Sequence, residues 1–139
     1  MDLWQVRVSS NVSLTEGHLY PIAASGRSNL GHALETAVQN ELGRRKAETG
    51  YVKTGDGLEV DFLARGLAGG EELLQVCTDP SAPKTLDREL RALTAAGKEH
   101  PRALRRLLVL DRGQALRVKA PGVEVQPAYE WLLAEPAAA

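Results

Sequence analysis

The chain is poor in cysteine, in aromatic residues and in net charge, and each shortage narrows what it can do. Its single cysteine, Cys77, has no second thiol with which to form an internal disulfide or a cysteine cage for zinc. Aromatic residues make up 4% of the sequence, which argues against a stacking platform for single-stranded nucleic acid. The formal net charge is −1, so any contact with nucleic acid must depend on a local basic patch.

Long apolar runs and nucleotide-binding motifs are missing as well. No stretch is apolar enough to span a bilayer, and the N-terminus lacks the charged-then-apolar layout of an export signal, so we expect a cytoplasmic protein without a membrane partner. No GxxxxGK[ST] sequence occurs, which excludes a P-loop nucleotide site from this chain. The length of 139 residues, with 43% hydrophobic and 25% charged residues, is typical of one globular domain.

The most informative feature that is present is a pair of alternating segments, residues 58–63 and 73–77, separated by a glycine-rich turn. Alternation of polar and apolar residues is typical of strands with one buried face. In an antiparallel hairpin about this turn, opposed residue numbers sum to 136, so Asp61 lies opposite Gln75. Opposed side chains share a sheet face with their Cβ atoms about 5 Å apart. A carboxylate and a carboxamide therefore meet, and together they offer oxygen ligands for a divalent cation.

Two amphipathic helices flank the hairpin. Ser28 or Asn29 is a suitable N-cap for the first, and apolar residues then recur at the spacing of one helical face, which predicts a helix to about Lys46. The second follows a loop at residues 79–83, whose two prolines end the strand before it. We expect Thr85 to cap this second helix.

A further hairpin is predicted between the first helix and the Asp61 strand. Residues 51–54 read as a strand that pairs with residues 59–64 through the turn at residues 55–57. Opposed residue numbers in this hairpin sum to 112, so Lys53 lies opposite Glu59 and diagonal to Asp61. The Lys53 ammonium is thereby within reach of the polar pair.

A central strand follows the second helix. Residues 105–111 contain a continuous apolar run, from Leu107 to Leu110, which is typical of a strand covered on both faces. A strand, a helix and a strand in succession imply a right-handed crossover, so we expect this run to lie parallel to the Gln75 strand. Shorter extended pieces are predicted at residues 115–119 and 123–126, before a small helix at residues 128–133.

These elements predict an α/β fold with a mixed sheet and helices on both sides. Their order is helix, strand, strand, strand, helix, strand, with the first three strands antiparallel. We expect residues 1–17 to be a weakly structured N-terminal segment, residues 18–134 to form the single domain, and residues 135–139 to be a frayed tail.

This order and four sequence segments resemble the restriction-endonuclease-like, or PD-(D/E)XK, domain found at the C-terminus of prokaryotic AAA+ ATPases. The segments are residues 31–38, 57–62, 74–77 and 127–133, and the similarity extends over roughly residues 19–133. The resemblance implies a nuclease-fold domain and an ATPase module that is missing from this chain.

The resemblance also implies a metal site for Mg²⁺ or Mn²⁺ built from Glu35, Asp61 and Gln75. Cys77 then stands in the place of the catalytic lysine of the fold, which leaves the site without its cation unless Lys53 replaces it. Phosphodiester hydrolysis needs a metal held by oxygen ligands to activate water, and a cation to stabilise the developing negative charge.

Each of these residues also has a simpler interpretation. Asp61 can be an outward-facing strand residue, Glu35 a solvated acid beside the apolar face of its helix, and Lys53 the partner of Glu59 in an exposed pair. For Cys77 we expect a small buried hydrophobe.

Three functions therefore follow from the sequence. The first is a degenerate nuclease-fold module that binds nucleic acid or a protein partner within an ATPase assembly without cutting. The second is an active Mg²⁺-dependent endonuclease that uses Glu35, Asp61 and Gln75, with Lys53 as the displaced cation. The third is a purely structural interaction domain. The sequence leaves open the oligomeric state and the choice between DNA and RNA.

Overall fold

Five strands form one mixed sheet in the computed structural model, which describes residues 29–135. In sheet order they are β1 (Glu48–Lys53), β2 (Glu59–Arg65), β3 (Glu71–Val76), β4 (Leu104–Val109) and β5 (Glu124–Pro127). The β1–β2 and β2–β3 pairs are antiparallel, whereas β3–β4 and β4–β5 are parallel. The predicted α/β class with a mixed sheet is confirmed, as is the parallel pairing of β3 with β4.

Within residues 29–135, four helices cover the two faces of this sheet. They are α1 (Asn29–Arg44), α2 (Pro83–Glu99), α3 (Arg112–Arg117) and α4 (Ala128–Leu133). Helices α1 and α4 share one core cluster with the sheet, and α2 shares the other. Within residues 29–135, none of these helices combines the length and the apolar character that crossing a bilayer requires.

Both faces of the sheet are buried, which explains the continuous apolar run in β4. Leu107 packs in the cluster on the α2 side and Leu108 in the cluster on the α1 side, and each is fully buried. A strand covered on both faces has no solvated side on which polar residues are needed.

The helix ends differ from the sequence predictions for local reasons. Helix α1 stops at Arg44 because Lys46 takes the left-handed conformation, with φ 58°, while the Ala47 N–H bonds back to the Leu42 carbonyl. Helix α2 begins at Pro83, a residue suited to the first turn, so Thr85 lies inside the helix and the prediction that it caps the helix is wrong.

The extended piece predicted at residues 115–119 is also wrong, since the chain forms α3 there. Asp111 caps this helix by accepting a hydrogen bond from the Gln114 N–H, 2.8 Å away. The Gln114 side chain accepts one from the Leu110 N–H at 2.9 Å. This reciprocal cap starts the helix. The predictions made for residues 1–28 and 136–139, including the weakly structured segment 1–17, lie outside the described residues.

Candidate functional site

The hairpin of β2 and β3 has the predicted register and brings Asp61 and Gln75 together. Its paired residues run from Arg65↔Glu71 to Phe62↔Leu74, each pair summing to 136. Just beyond this ladder, each of the two polar side chains bonds to the backbone of the other strand. The Val76 N–H donates to Asp61 Oδ2 at 3.0 Å, and the Asp61 N–H donates to Gln75 Oε1 at 2.7 Å. The two side chains thus continue the cross-strand bonding where the ladder stops.

A β-bulge in β2 sets this geometry. The β1–β2 pairs sum to 113 at Gly50↔Leu63 but to 112 at Val52↔Val60, so β2 has one more residue than β1 between these two pairs. The extra residue shifts the alternation of side chains. Val60 packs in the α2-side core, whereas Phe62 packs on the α1 side. Strict alternation along residues 58–63 would place Val60 and Phe62 on the same face, so an expectation based on alternation alone is wrong at this point.

The Gln75 carboxamide links three elements of the fold. It is 2% exposed, and besides accepting from the Asp61 N–H it donates from Nε2 to the Glu59 carbonyl at 3.1 Å and to Glu89 Oε1 at 2.8 Å. Both of its amide hydrogens are therefore used. Glu59 and Asp61 belong to β2, Gln75 to β3 and Glu89 to α2.

Glu89 is the site residue that the sequence interpretation missed. Its position near the start of α2 indicates by itself only an acid that interacts favourably with the positive end of that helix. Its spacing of three residues from Leu86 and four from Leu93 places it along the apolar stripe of α2, and that spacing was the available signal. A carboxylate on such a stripe needs a buried hydrogen-bond partner, which Gln75 supplies.

These side chains line a cleft of about 240 Å³ between β2, β3 and α2. Its lining has three acidic residues and one basic residue, Arg88, whose guanidinium lies 3.9 Å from the Glu89 carboxylate. Within residues 29–135, no group of three or more His, Cys, Asp or Glu side chains is placed to hold a metal ion. The cleft is lined by Gly57, Leu58, Glu59, Asp61, Gln75, Arg88, Glu89 and Ala92.

The other predicted site residues lie away from this cleft lining. Glu35 is half-buried on α1, whose core contacts are on the opposite face of the sheet from α2. Lys53 pairs with Glu59 across β1 and β2, as predicted, and is exposed. Neither residue lines the cleft.

Cys77 is buried in the core on the α2 side, which confirms the expectation of a small buried hydrophobe. Burial raises the pKa of its thiol to about 11, because a thiolate loses its hydration there. The thiol is therefore neutral at physiological pH and supplies no positive charge to the cleft.

The donor atoms present favour a hydrogen-bonded cross-link over a bound cation. One carboxylate oxygen of Asp61 and the carboxamide oxygen of Gln75 already accept backbone N–H bonds. Each of these two oxygens keeps a second lone pair, so a Mg²⁺ or Mn²⁺ ion bound to them would share them with a backbone N–H. The Gln75 Nε2 group turns two hydrogens, and no lone pair, toward Glu59 and Glu89.

Three arginines that could otherwise contact a phosphate backbone are engaged in ion pairs within the described residues. Arg44 and Arg45 both bind Glu41, and Arg106 binds Glu72 and Glu124.

Comparison of the chain with family models, with curated proteins and with solved structures gives no match. The structure thus defines an α/β domain with a mixed sheet and a small acidic cleft, whose lining includes the buried Gln75 carboxamide.

Proposed function

We propose that this chain is a degenerate nuclease-fold module of the PD-(D/E)XK kind, which binds nucleic acid or a protein partner as an accessory domain of an AAA+ ATPase and does not cut. The helix-strand-strand-strand-helix-strand order and the meeting of Asp61 with Gln75 support this proposal. Both are what the resemblance of the sequence to that domain implies.

The observation that carries the loss of cutting is the bonding of Gln75. A nuclease of this fold needs oxygen lone pairs that face a hard cation, together with a positive charge near the phosphate. Here the carboxamide hydrogens bond to Glu59 and Glu89, and the position of the lysine holds the neutral Cys77 thiol. Gln75, in β3, and Cys77, directly after β3, therefore weaken both requirements.

A cleavage assay tests this proposal. Supercoiled plasmid, linear duplex and RNA are incubated with the protein at millimolar Mg²⁺ or Mn²⁺, beside an Asp61→Ala variant prepared in the same way. We expect wild type and variant to leave the substrates equally intact. Cutting by wild type that Asp61→Ala abolishes would instead establish the active endonuclease that uses Glu35, Asp61 and Gln75.

Salt-dependent binding tests the nucleic-acid half of the proposal. Neutralisation of several phosphates makes the logarithm of the binding constant fall linearly with the logarithm of salt concentration, with a slope of about −0.9 per phosphate on duplex DNA. A steep slope without cutting supports a nucleic-acid-binding module. Absence of binding at low salt leaves a protein as the partner.

A further inference from the structure

A second, more apolar groove lies at the opposite end of the sheet from the cleft. It has a volume of about 540 Å³ and is formed by the end of α1, the turn between β2 and β3, and the start of β4. Leu42 and Ala64, which line it, belong to the core on the α1 side of the sheet, whereas the cleft opens on the α2 side. The groove and the cleft have no lining residue in common.

Two leucines at the groove are exposed. Leu67, on the turn, is 80% exposed, and Leu104, at the start of β4, is 42% exposed. The turn is held by two backbone bonds of 2.9 Å, from the Gly66 N–H to the Gly70 carbonyl and from the Gly69 N–H to the Gly66 carbonyl. Leu67 is thus presented by a closed turn, and covering both leucines would release water from apolar surface.

One basic residue at the groove has no ion-pair partner within residues 29–135. Glu71 pairs with Arg65, Glu72 with Arg106, and Arg45 with Glu41. Arg102 also lines the groove, is exposed, and makes no ion pair or side-chain hydrogen bond within residues 29–135. The groove therefore combines apolar walls with a single available guanidinium.

We propose that this groove binds an apolar peptide segment of a partner protein, with one carboxylate of that segment paired to Arg102. A guanidinium binds a carboxylate in a two-pronged geometry, while the leucines cover apolar side chains. A nucleic acid fits poorly, because its dense phosphates match neither the leucines nor a lone arginine. Occupation by a second copy of this chain would instead make the chain dimeric, which analytical ultracentrifugation detects.

This inference rests on the partner-binding part of the proposed function and is independent of what happens in the cleft. Its test uses two small dyes. One combines the apolar part and the anionic part of the proposed ligand, and the other has the apolar part alone. Anilinonaphthalene sulfonate has an apolar ring system with one anionic group, and phenylnaphthylamine has the same ring system without the charge. Binding is followed by dye fluorescence and by amide shifts in ¹⁵N NMR spectra of the whole chain.

We expect the sulfonate dye to bind with shifts concentrated at residues 66–70 and at Leu104. Arg102→Gln should weaken the sulfonate dye about tenfold and leave the uncharged dye unchanged, since only the ion pair is lost. Leu104→Asp should abolish binding of both dyes. The matched control is Leu116→Asp, on α3, where an equally apolar and 71% exposed side chain lies outside the groove, and it should leave both dyes unaffected.

Melting curves establish that each variant is folded, and Leu67→Asp, on the exposed turn, replaces Leu104→Asp if that variant is not. Shifts that lie elsewhere, or an Arg102→Gln variant that binds the sulfonate dye as well as wild type does, overturn the proposal. So does a dimer in analytical ultracentrifugation that Leu67→Asp dissociates, because the groove would then be occupied by a second copy. None of these outcomes alters the cleavage assay, whose residues line the cleft.

Discussion

At the scale of single residues, the carboxamide of Gln75 has the largest influence on the candidate site. A buried amide with all its hydrogen bonds made contributes stability, whereas its removal leaves polar partners without bonds in a low-dielectric interior. Gln75 serves the Asp61 N–H, the Glu59 carbonyl and the Glu89 carboxylate at once. The same bonds that argue against a cation in the cleft therefore hold α2 against β2 and β3.

Replacing Gln75 with leucine tests this role. We expect Gln75→Leu to lower the free energy of unfolding by about 3 kcal/mol, because it keeps the side-chain volume and strands the two backbone groups of β2. Chemical denaturation measures the loss. Gln39→Leu, on α1, is the matched control, since Gln39 is half-buried and takes part in none of the side-chain bonds of the site, and it should change stability by less than about 0.5 kcal/mol. Equal effects of the two substitutions would contradict the role of the bridge.

Cys77 gives a prediction with a defined pH window. The pKa of its thiol rises from 9.0 to about 11 on folding, so the unfolded chain loses the proton first. The stabilisation is complete below pH 9 and is lost as the pH rises through about 11, with a magnitude of about 3 kcal/mol. The stability difference between wild type and Cys77→Ala should therefore shrink over this window. A difference that is constant from pH 8 to about 11 would contradict it.

At the scale of elements, the end of α1 is fastened to α4 by one arginine. Arg45 donates to the Trp131 carbonyl at 2.7 Å and to the Ala134 carbonyl at 3.1 Å, and its guanidinium lies 4.3 Å from the centre of the Trp131 ring. Glu41 accepts from Arg45 Nε at 2.7 Å, which orients the guanidinium. Hydrogen bonds from Arg44 and Arg45 lower the pKa of the Glu41 carboxyl to about 2.

Glu41→Gln tests this fastening through its pH dependence. The pKa of Glu41 is lower in the folded chain than in the unfolded chain. Its contribution to folding stability is therefore present above about pH 4.5 and is lost as the pH falls through about 2. We expect Glu41→Gln to cost about 1 kcal/mol at neutral pH and progressively less in acid. Glu48→Gln is the control, since Glu48 is an exposed acid 3.9 Å from Arg65 and should contribute nothing measurable. An equal cost of Glu41→Gln at neutral and strongly acid pH would refute the charge-based explanation.

At the scale of the whole molecule, stability is expected to decrease from the centre of the sheet outward. Strand β3 is central and β4 is its interior neighbour, and both have residues with no exposure, whereas α3 has no buried residue. Native-state hydrogen exchange should show the amides of Leu74 and Leu108 opening only with global unfolding, and those of α3 opening at a lower free energy. Protection of α3 equal to that of β3 would show that the described domain opens as one unit.

The sequence predicted the sheet class and the β2–β3 register because both depend on patterns over short distances. Polar and apolar alternation and a glycine turn were sufficient to place Asp61 beside Gln75, and the apolar run in β4 was sufficient to identify it as an interior strand covered on both faces. Helix α3 was missed because its signal, the cap between Asp111 and Gln114, is local but opposes the extended reading of the residues that follow.

What the sequence alone determined about this protein is the type, order and pairing of its central elements, since periodicity is set by residues that are neighbours along the chain. The tertiary structure decided which polar atoms of the site are occupied. Three features depend on how the chain folds in three dimensions. They are the bulge in β2, the hydrogen bond between Gln75 and Glu89, and the guanidinium of Arg102, which has no ion-pair partner within residues 29–135. Such three-dimensional matches leave no periodic trace, so only the folded chain distinguishes a cation-binding carboxamide from one that serves as a hydrogen-bonded bridge.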